Sequence, residues 1–78
     1  MSTRMFQQNG KSNIEIKFKA PMTRMYVRAA SGTVKIAFDK SDYFLTIPAG
    51  TIQQFMTTPI MNIKLSGGGE YELLSFAE

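Results

Sequence analysis

Apolar and polar side chains alternate with a period of two along most of this chain. Ile14, Ile16 and Phe18 alternate with Glu15, Lys17 and Lys19. Met25, Val27 and Ala29 alternate with Arg24, Tyr26 and Arg28, and Val34, Ile36 and Phe38 with Thr33, Lys35 and Ala37. Successive side chains of a strand point to opposite faces, so each run predicts a strand with one apolar and one polar side. The small pair Ser31-Gly32 separates the last two runs, and Arg24 to Phe38 reads as a β-hairpin around which the other strands gather. Further short strands are expected at Tyr43–Ile47, Ile52–Met56, Ile60–Leu65 (Met61, Ile63 and Leu65 on one side) and Glu70–Phe76. In the last, Tyr71 and Leu73 point one way and Leu74 and Phe76 the other. Ala20-Pro21 and Thr57-Thr58-Pro59 read as strand ends, because proline lacks a ladder donor and restricts its predecessor. Asn9-Gly10, Asp39–Asp42, Pro48-Ala49-Gly50 and Ser66–Gly69 read as turns or links. No segment carries a helical stripe.

The pattern repeats weakly at a shift of 38 residues: Ile14 falls on Ile52, Phe18 on Met56, Pro21 on Pro59, Met25 on Ile63, Val27 on Leu65, Ile36 on Leu74 and Phe38 on Phe76. Both segments read as strand, proline link, strand, small-residue turn, strand, which describes two similar three-stranded units about a pseudo-twofold core. The expected fold is all-β: a compact, mostly antiparallel β-sandwich or flattened barrel of about seven strands. Residues 1–13 form an N-terminal arm or edge strand and 14–78 a single β domain. The expected core is Ile14, Ile16, Phe18, Met25, Val27, Val34, Ile36, Phe38, Ile47, Ile63, Leu65, Leu73 and Phe76.

Size changes the picture next. At 78 residues the chain supports one core, and a domain this small is marginal alone. Without cysteine there is no disulfide, and without histidine the usual soft-metal ligand and proton shuttle are absent. Six Met, six Phe and three Tyr exceed what one twisted sheet hides, pointing to a shared interface. Met1, Phe6, Met22, Tyr43, Phe55, Met56 and Met61 are the candidate assembly contacts. Charge is uneven as well: residues 1–40 carry a net +6 and residues 41–78 a net −3, so copies can meet positive to negative. Neither a signal-peptide pattern nor a membrane-length apolar run is visible, and an intracellular origin is expected.

Candidate chemistry is sparse. Asp39 with Asp42, and Glu70 with Glu72, are the acidic pairs, and neither has the surroundings of a calcium loop. Gly67-Gly68-Gly69 lacks the Lys-Ser or Lys-Thr that completes a phosphate-binding loop. No catalytic residue, cofactor or metal is expected, and the chain reads as a non-enzyme. Lys17, Lys19, Arg24, Tyr26, Arg28 and Lys35 lie on polar strand sides and form a candidate basic surface. With Tyr26 as a stacking platform, that surface raises a single-stranded nucleic-acid-binding module as the alternative function.

The phrases Phe44-Leu45-Thr46-Ile47-Pro48-Ala49-Gly50 and Pro59-Ile60-Met61-Asn62-Ile63, with the closing Gly67 to Phe76, resemble small all-β accessory proteins of tailed-phage particles. The resemblance spans residues 14–76 and implies a non-catalytic virion role: capsid decoration, head-to-tail joining or a tail component. It also implies self-association into a homo-oligomer, other virion proteins as partners, no membrane, and synthesis in the host cytoplasm.

Overall fold

The computed structural model describes residues 4–77, and Met1 lies outside them. The chain is all-β. Six strands form one antiparallel sheet: β1 (Arg4–Lys11), β2 (Ile14–Ser31), β3 (Val34–Phe38), β4 (Leu45–Ile47), β5 (Ile52–Ser66) and β6 (Glu70–Ala77). Their order across the sheet is β1-β6-β2-β5-β3-β4. The sheet bends over a shared core but does not close into a true barrel.

Six strands replace the expected seven because the two prolines do not end strands. Pro21 lies inside the 18-residue β2 and Pro59 inside the 15-residue β5. Neither has a partner in the β2–β5 ladder. The ladder absorbs each as a bulge. Between the pairs Lys17–Asn62 and Met22–Ile60, β2 has the longer path; between Met22–Ile60 and Arg24–Met56, β5 has it. A proline in a bulge forfeits no ladder bond, and the extra residues bend the strand.

A second correction concerns the hairpin. β2 and β3 are consecutive, but β5 lies between them in the sheet. Arg24–Ser31 pairs instead with β5 and β6, and Val34–Phe38 with β4 and β5. Ser31-Gly32 is therefore a crossing link. Asn9-Gly10 is likewise no turn: both residues pair with β6, opposite Glu72 and Tyr71.

The repeat has a structural counterpart. Exchanging β1, β2, β3 with β4, β5, β6 turns the strand order into its own reverse. Arg28–Glu72, Val27–Leu73 and Tyr26–Leu74 correspond to Ser66–Lys35, Leu65–Ile36 and Lys64–Ala37. Met22 and Ile60, 38 positions apart, are each other's partner at the centre of the ladder. Away from that centre the correspondence slips by one residue. Phe18 is buried while Met56 is exposed, and buried Ile36 matches Leu73 better than Leu74.

Ile16, Phe18, Met22, Met25, Val27, Val34, Ile36, Ile47, Ile60, Ile63, Leu65, Tyr71 and Leu73 form one buried cluster. Full burial of side chains of this kind is worth about 1.5–3 kcal/mol each. Three expected core residues sit elsewhere. Ile14, opposite Leu65 at the start of β2, is 40% exposed where no strand covers it. Phe38 is half-buried against Phe55, ring centroids 5.2 Å apart. Phe76 faces outward, because Ser75 and Ala77 take the inward positions of β6. Met61 also departs from Ile63 and Leu65: the step of three from Ile60 to Ile63 turns it to solvent. Tyr71 is admitted to the core because its hydroxyl accepts a hydrogen bond from Gln8 Nε2 at 2.7 Å.

Gly69 marks where three turns meet. Its N–H donates to Thr33 O, and its carbonyl accepts from the Ser12 N–H. A Cβ there would lie 2.6 Å from Ser31 O and 2.7 Å from Gly32 C and Thr33 O. Gly68, at φ +83, has open space around it. Gly68→Ala is therefore expected to cost about 1 kcal/mol through backbone conformation alone, and Gly69→Ala about 3 kcal/mol by forcing the crossing link away. Thermal unfolding of the two variants checks the order; equal losses would show that the turns are not held this closely.

Candidate assembly surface

The register of four strands assembles one outward face. Met5, Phe76, Arg24 and Met56 lie opposite one another across β1, β6, β2 and β5. The next row is Gln7, Leu74, Tyr26 and Gln54, and the third is Asn9, Glu72, Arg28 and Ile52. Each side chain points outward because its neighbours Met25, Val27, Leu73 and Ser75 point into the core. Met5, Ile52 and Met56 are 62%, 63% and 75% exposed. Half of the twelve positions are thus large apolar or aromatic groups on a face that nothing else among the described residues covers.

The centre of this face is ordered by its aromatic rings. Tyr26 meets Phe76 edge to face with centroids 6.2 Å apart, and the Arg24 guanidinium lies 5.2 Å from the Phe76 centroid. A guanidinium over a ring face is held by the ring quadrupole, which keeps Arg24 flat against the sheet. Arg28 Nη1 donates to Glu72 Oε1 at 3.2 Å, both side chains about half exposed. An open groove of about 570 Å³ runs between Gln7, Asn9, Tyr26, Arg28, Ile52 and Glu72. Two arginines and one glutamate leave this face with a net charge of only +1.

The candidate basic residues divide between the two ends of the bent sheet. Arg24, Tyr26 and Arg28 share the face just described. Lys17 stands opposite Asn62 in the other half of the β2–β5 ladder, with Lys19 exposed beyond it. Lys35 stands between Ser66 and Thr46, on β3. The polar side of β2 passes from odd to even residues between Met22 and Met25, at the irregularity between Met22 and Arg24: Lys17 and Lys19 point out before it, Arg24, Tyr26 and Arg28 after it. Phe76 and Leu74 were missing from the sequence-derived surface. Their signal was the alternation within Glu70–Phe76, which already set them opposite Tyr71 and Leu73.

Of the candidate contacts, Tyr43, Met56 and Met61 are exposed. Phe6 and Phe55 are half-buried and packed against the core; Phe6 meets Phe18 edge to face at 5.3 Å. Met22 is a core residue, only 4% exposed, at the floor of an open hollow. The acidic side chains have structural neighbours. The Asp39 carboxylate accepts the Met61 and Asn62 N–H groups at 3.0 and 3.3 Å, pinning the turn after β3 to the part of β5 that faces the β2 bulge. Glu15 accepts from Asn62 Nδ2, and Asp42 lies 3.8 Å from Lys64 Nζ. Among the described residues no three His, Cys, Asp or Glu side chains gather as a metal-ion site. No helix among them is long and apolar enough to cross a membrane.

No protein-family model, curated protein or solved structure matches this chain. The surface itself therefore carries the functional argument.

The Arg28–Glu72 pair is half in water, where ion pairs are screened and contribute little. A double-mutant cycle with Arg28→Ala and Glu72→Ala, read by chemical denaturation, is expected to give a coupling below about 1 kcal/mol. A larger value would mean that the pair organises the sheet and is not simply available to a partner.

Proposed function

We propose that this protein is a non-catalytic structural protomer that repeats in a symmetric assembly. The observation that carries the reading is the uncovered outer face, with Met5, Ile52 and Met56 exposed around Phe76, Leu74 and Tyr26. The open sheet supports it too, since β1 and β4 stand at its ends with one neighbour each. Unpaired strand edges are templates for another chain, and closed symmetry satisfies them without open-ended growth.

Magnitude decides how many contacts such a protomer needs. Four strands at about 4.8 Å spacing and five residues at about 3.4 Å give the outer face a plan area of roughly 300 Å². A stable pairwise interface buries about 800 Å² per partner. One such face is too small to hold a lasting dimer by itself, so each copy uses more than one contact. The resemblance to small accessory proteins of tailed-phage particles supplies the setting we propose: a virion, as decoration, head-to-tail joint or tail component.

A single-stranded nucleic-acid-binding module is the second reading, favoured by Arg24, Tyr26, Arg28 and Phe76 meeting on one face. Against it stand the net charge of +1 there and the location of Lys17, Lys19 and Lys35 elsewhere. Backbone attraction to a strand requires several uncompensated cations along one path.

Light scattering of the purified chain from low to high micromolar concentration is expected to give one discrete oligomer, weakened by Met56→Glu without loss of melting temperature. A monomer throughout would overturn the structural reading. Titration with a single-stranded oligonucleotide at low salt is expected to give no saturable binding. Tight binding that collapses with added salt and on Arg28→Ala would put the second reading first.

A further inference from the structure

The two ends of the sheet are unequal in a way that the internal repeat makes legible. In the first unit, β1 pairs over all eight of its residues with β6, and Phe6 packs on Phe18. The corresponding stretch of the second unit, 38 positions on, is 42–49, yet only Leu45–Ile47 pairs, with β3. β3 runs on to Phe38 before the chain turns at Asp39, at φ +50, but its pairing with β4 stops at Ile36–Leu45, and Ala37 and Phe38 pair only with β5. With Ile36 matching Leu73, the ladders put Leu45 in the place of Gln8, so Tyr43 takes the place of Phe6 and Phe44 that of Gln7, but both lie open, Tyr43 at 76%. Among the described residues the backbone of Asp42, Tyr43 and Phe44 has no ladder partner, and the Tyr43 N–H donates only to the neighbouring Ser41 Oγ at 3.0 Å.

At the opposite end, β1 has a free outer edge and so does the first part of β2. Between them is an open hollow of about 490 Å³ lined by Met5, Phe6, Ala20 and Met22, with Lys17 and Lys19 on its wall. Apart from those two amines the lining is apolar. It is therefore a receptacle for an extended, aromatic, negatively charged segment. Asp42-Tyr43-Phe44-Leu45 has that composition, and the Asp42 side chain is almost fully exposed.

We infer that the copies join head to tail: Asp42–Ile47 of one copy docks as a strand on the β1 edge of the next. Tyr43 enters the hollow beside Phe6 and Met22, while Phe44 and Asp42 take the opposite side of the added strand, the Asp42 carboxylate between Lys17 and Lys19. The main-chain groups of 42–44 gain the ladder bonds that their own unit denies them, and side-chain pockets set the register. Because the donor segment and the receiving hollow are different surfaces, the contact is heterologous, and a rotation that closes makes a ring. The inference rests on the assembly reading proposed above and identifies a contact other than the outer face.

The test uses two full-length variants, each blocked on one side. Lys17→Glu with Lys19→Glu closes the hollow to an acidic segment and leaves 42–47 intact. Tyr43→Ser with Phe44→Ser removes the anchors and leaves the hollow intact. Each alone is expected to lose the wild-type oligomer, its association weakened by about tenfold or more. An equimolar mixture is expected to form a species of two chains and no larger, since one good segment meets one good hollow. A variant that keeps the wild-type oligomer, or a mixture that stays monomeric, overturns the contact while the assembly reading survives. A wild-type chain that is itself monomeric defeats both. Should a variant unfold, hydrogen exchange of the unaltered protein decides. Amides of 42–47 and the outward amides of β1 are expected to gain protection as concentration rises, and no gain would overturn the contact.

Discussion

The crossing of β2 and β5 at Met22 and Ile60 is the constraint on which the rest of the structure depends. Both side chains are buried, they face each other, and a proline immediately precedes each one. Proline cannot donate to the ladder, so each strand must bulge beside its own. The bulges fall on opposite sides of the Met22–Ile60 pair, first on β2 and then on β5. Two long strands thereby bend together and stay paired on both sides of the bend. Each then offers its second half to a further strand: β6 joins β2 and β3 joins β5. A single sheet encloses a core in this way without a second sheet to press against.

Much of this was legible in the sequence at the level of individual strands. Period-two alternation located the buried side of Ile16–Phe18, Met25–Ala29 and Val34–Ile36, because a half-covered sheet leaves that mark directly. The shift of 38 residues paired Pro21 with Pro59 and Met25 with Ile63, and the fold makes those positions equivalent. What local pattern does not encode is which strand sits beside which. Ser31-Gly32 is compatible with a tight hairpin or with a crossing link, and the choice is made by β5, whose buried Ile63 and Leu65 need both neighbours. Continuity through the prolines was illegible for a related reason. A proline that ends a strand and one that sits in a bulge look alike until the partner strand is known.

The same phase shift explains how the surface was part found and part missed. Up to Met22 the outward residues of β2 are odd-numbered, and from Arg24 on they are even. A list of polar-side cations made along the chain therefore mixes two faces. Lys17 and Lys19 belong with the hollow beside β1; Arg24 and Arg28 belong with Tyr26, Phe76 and Leu74. Phe76 was counted as core because aromatic residues are usually buried, although the neighbouring Leu73 had already claimed the inward phase. The six large groups that the alternation of β1, β2, β5 and β6 leaves outside are the part of the sequence that the core does not use.

Small size then links the fold to its partner surfaces. Lengthening β4 to match β1 would have paired Tyr43 and Phe44 within the chain and given the second unit a finished edge. Instead the chain leaves β3 before Leu45, although β3 itself continues to Phe38, and the left-handed turn at Asp39 is held by two hydrogen bonds from β5 to its carboxylate. The open edge, bearing exposed aromatics, is a liability for a lone chain, since it invites indiscriminate pairing. Lys17 and Lys19, set on the wall of the hollow beside the other free edge, limit what can pair there to segments carrying a compensating acid. Edge, aromatics and lysines are the features on which the proposed completion of the sheet by a second copy rests.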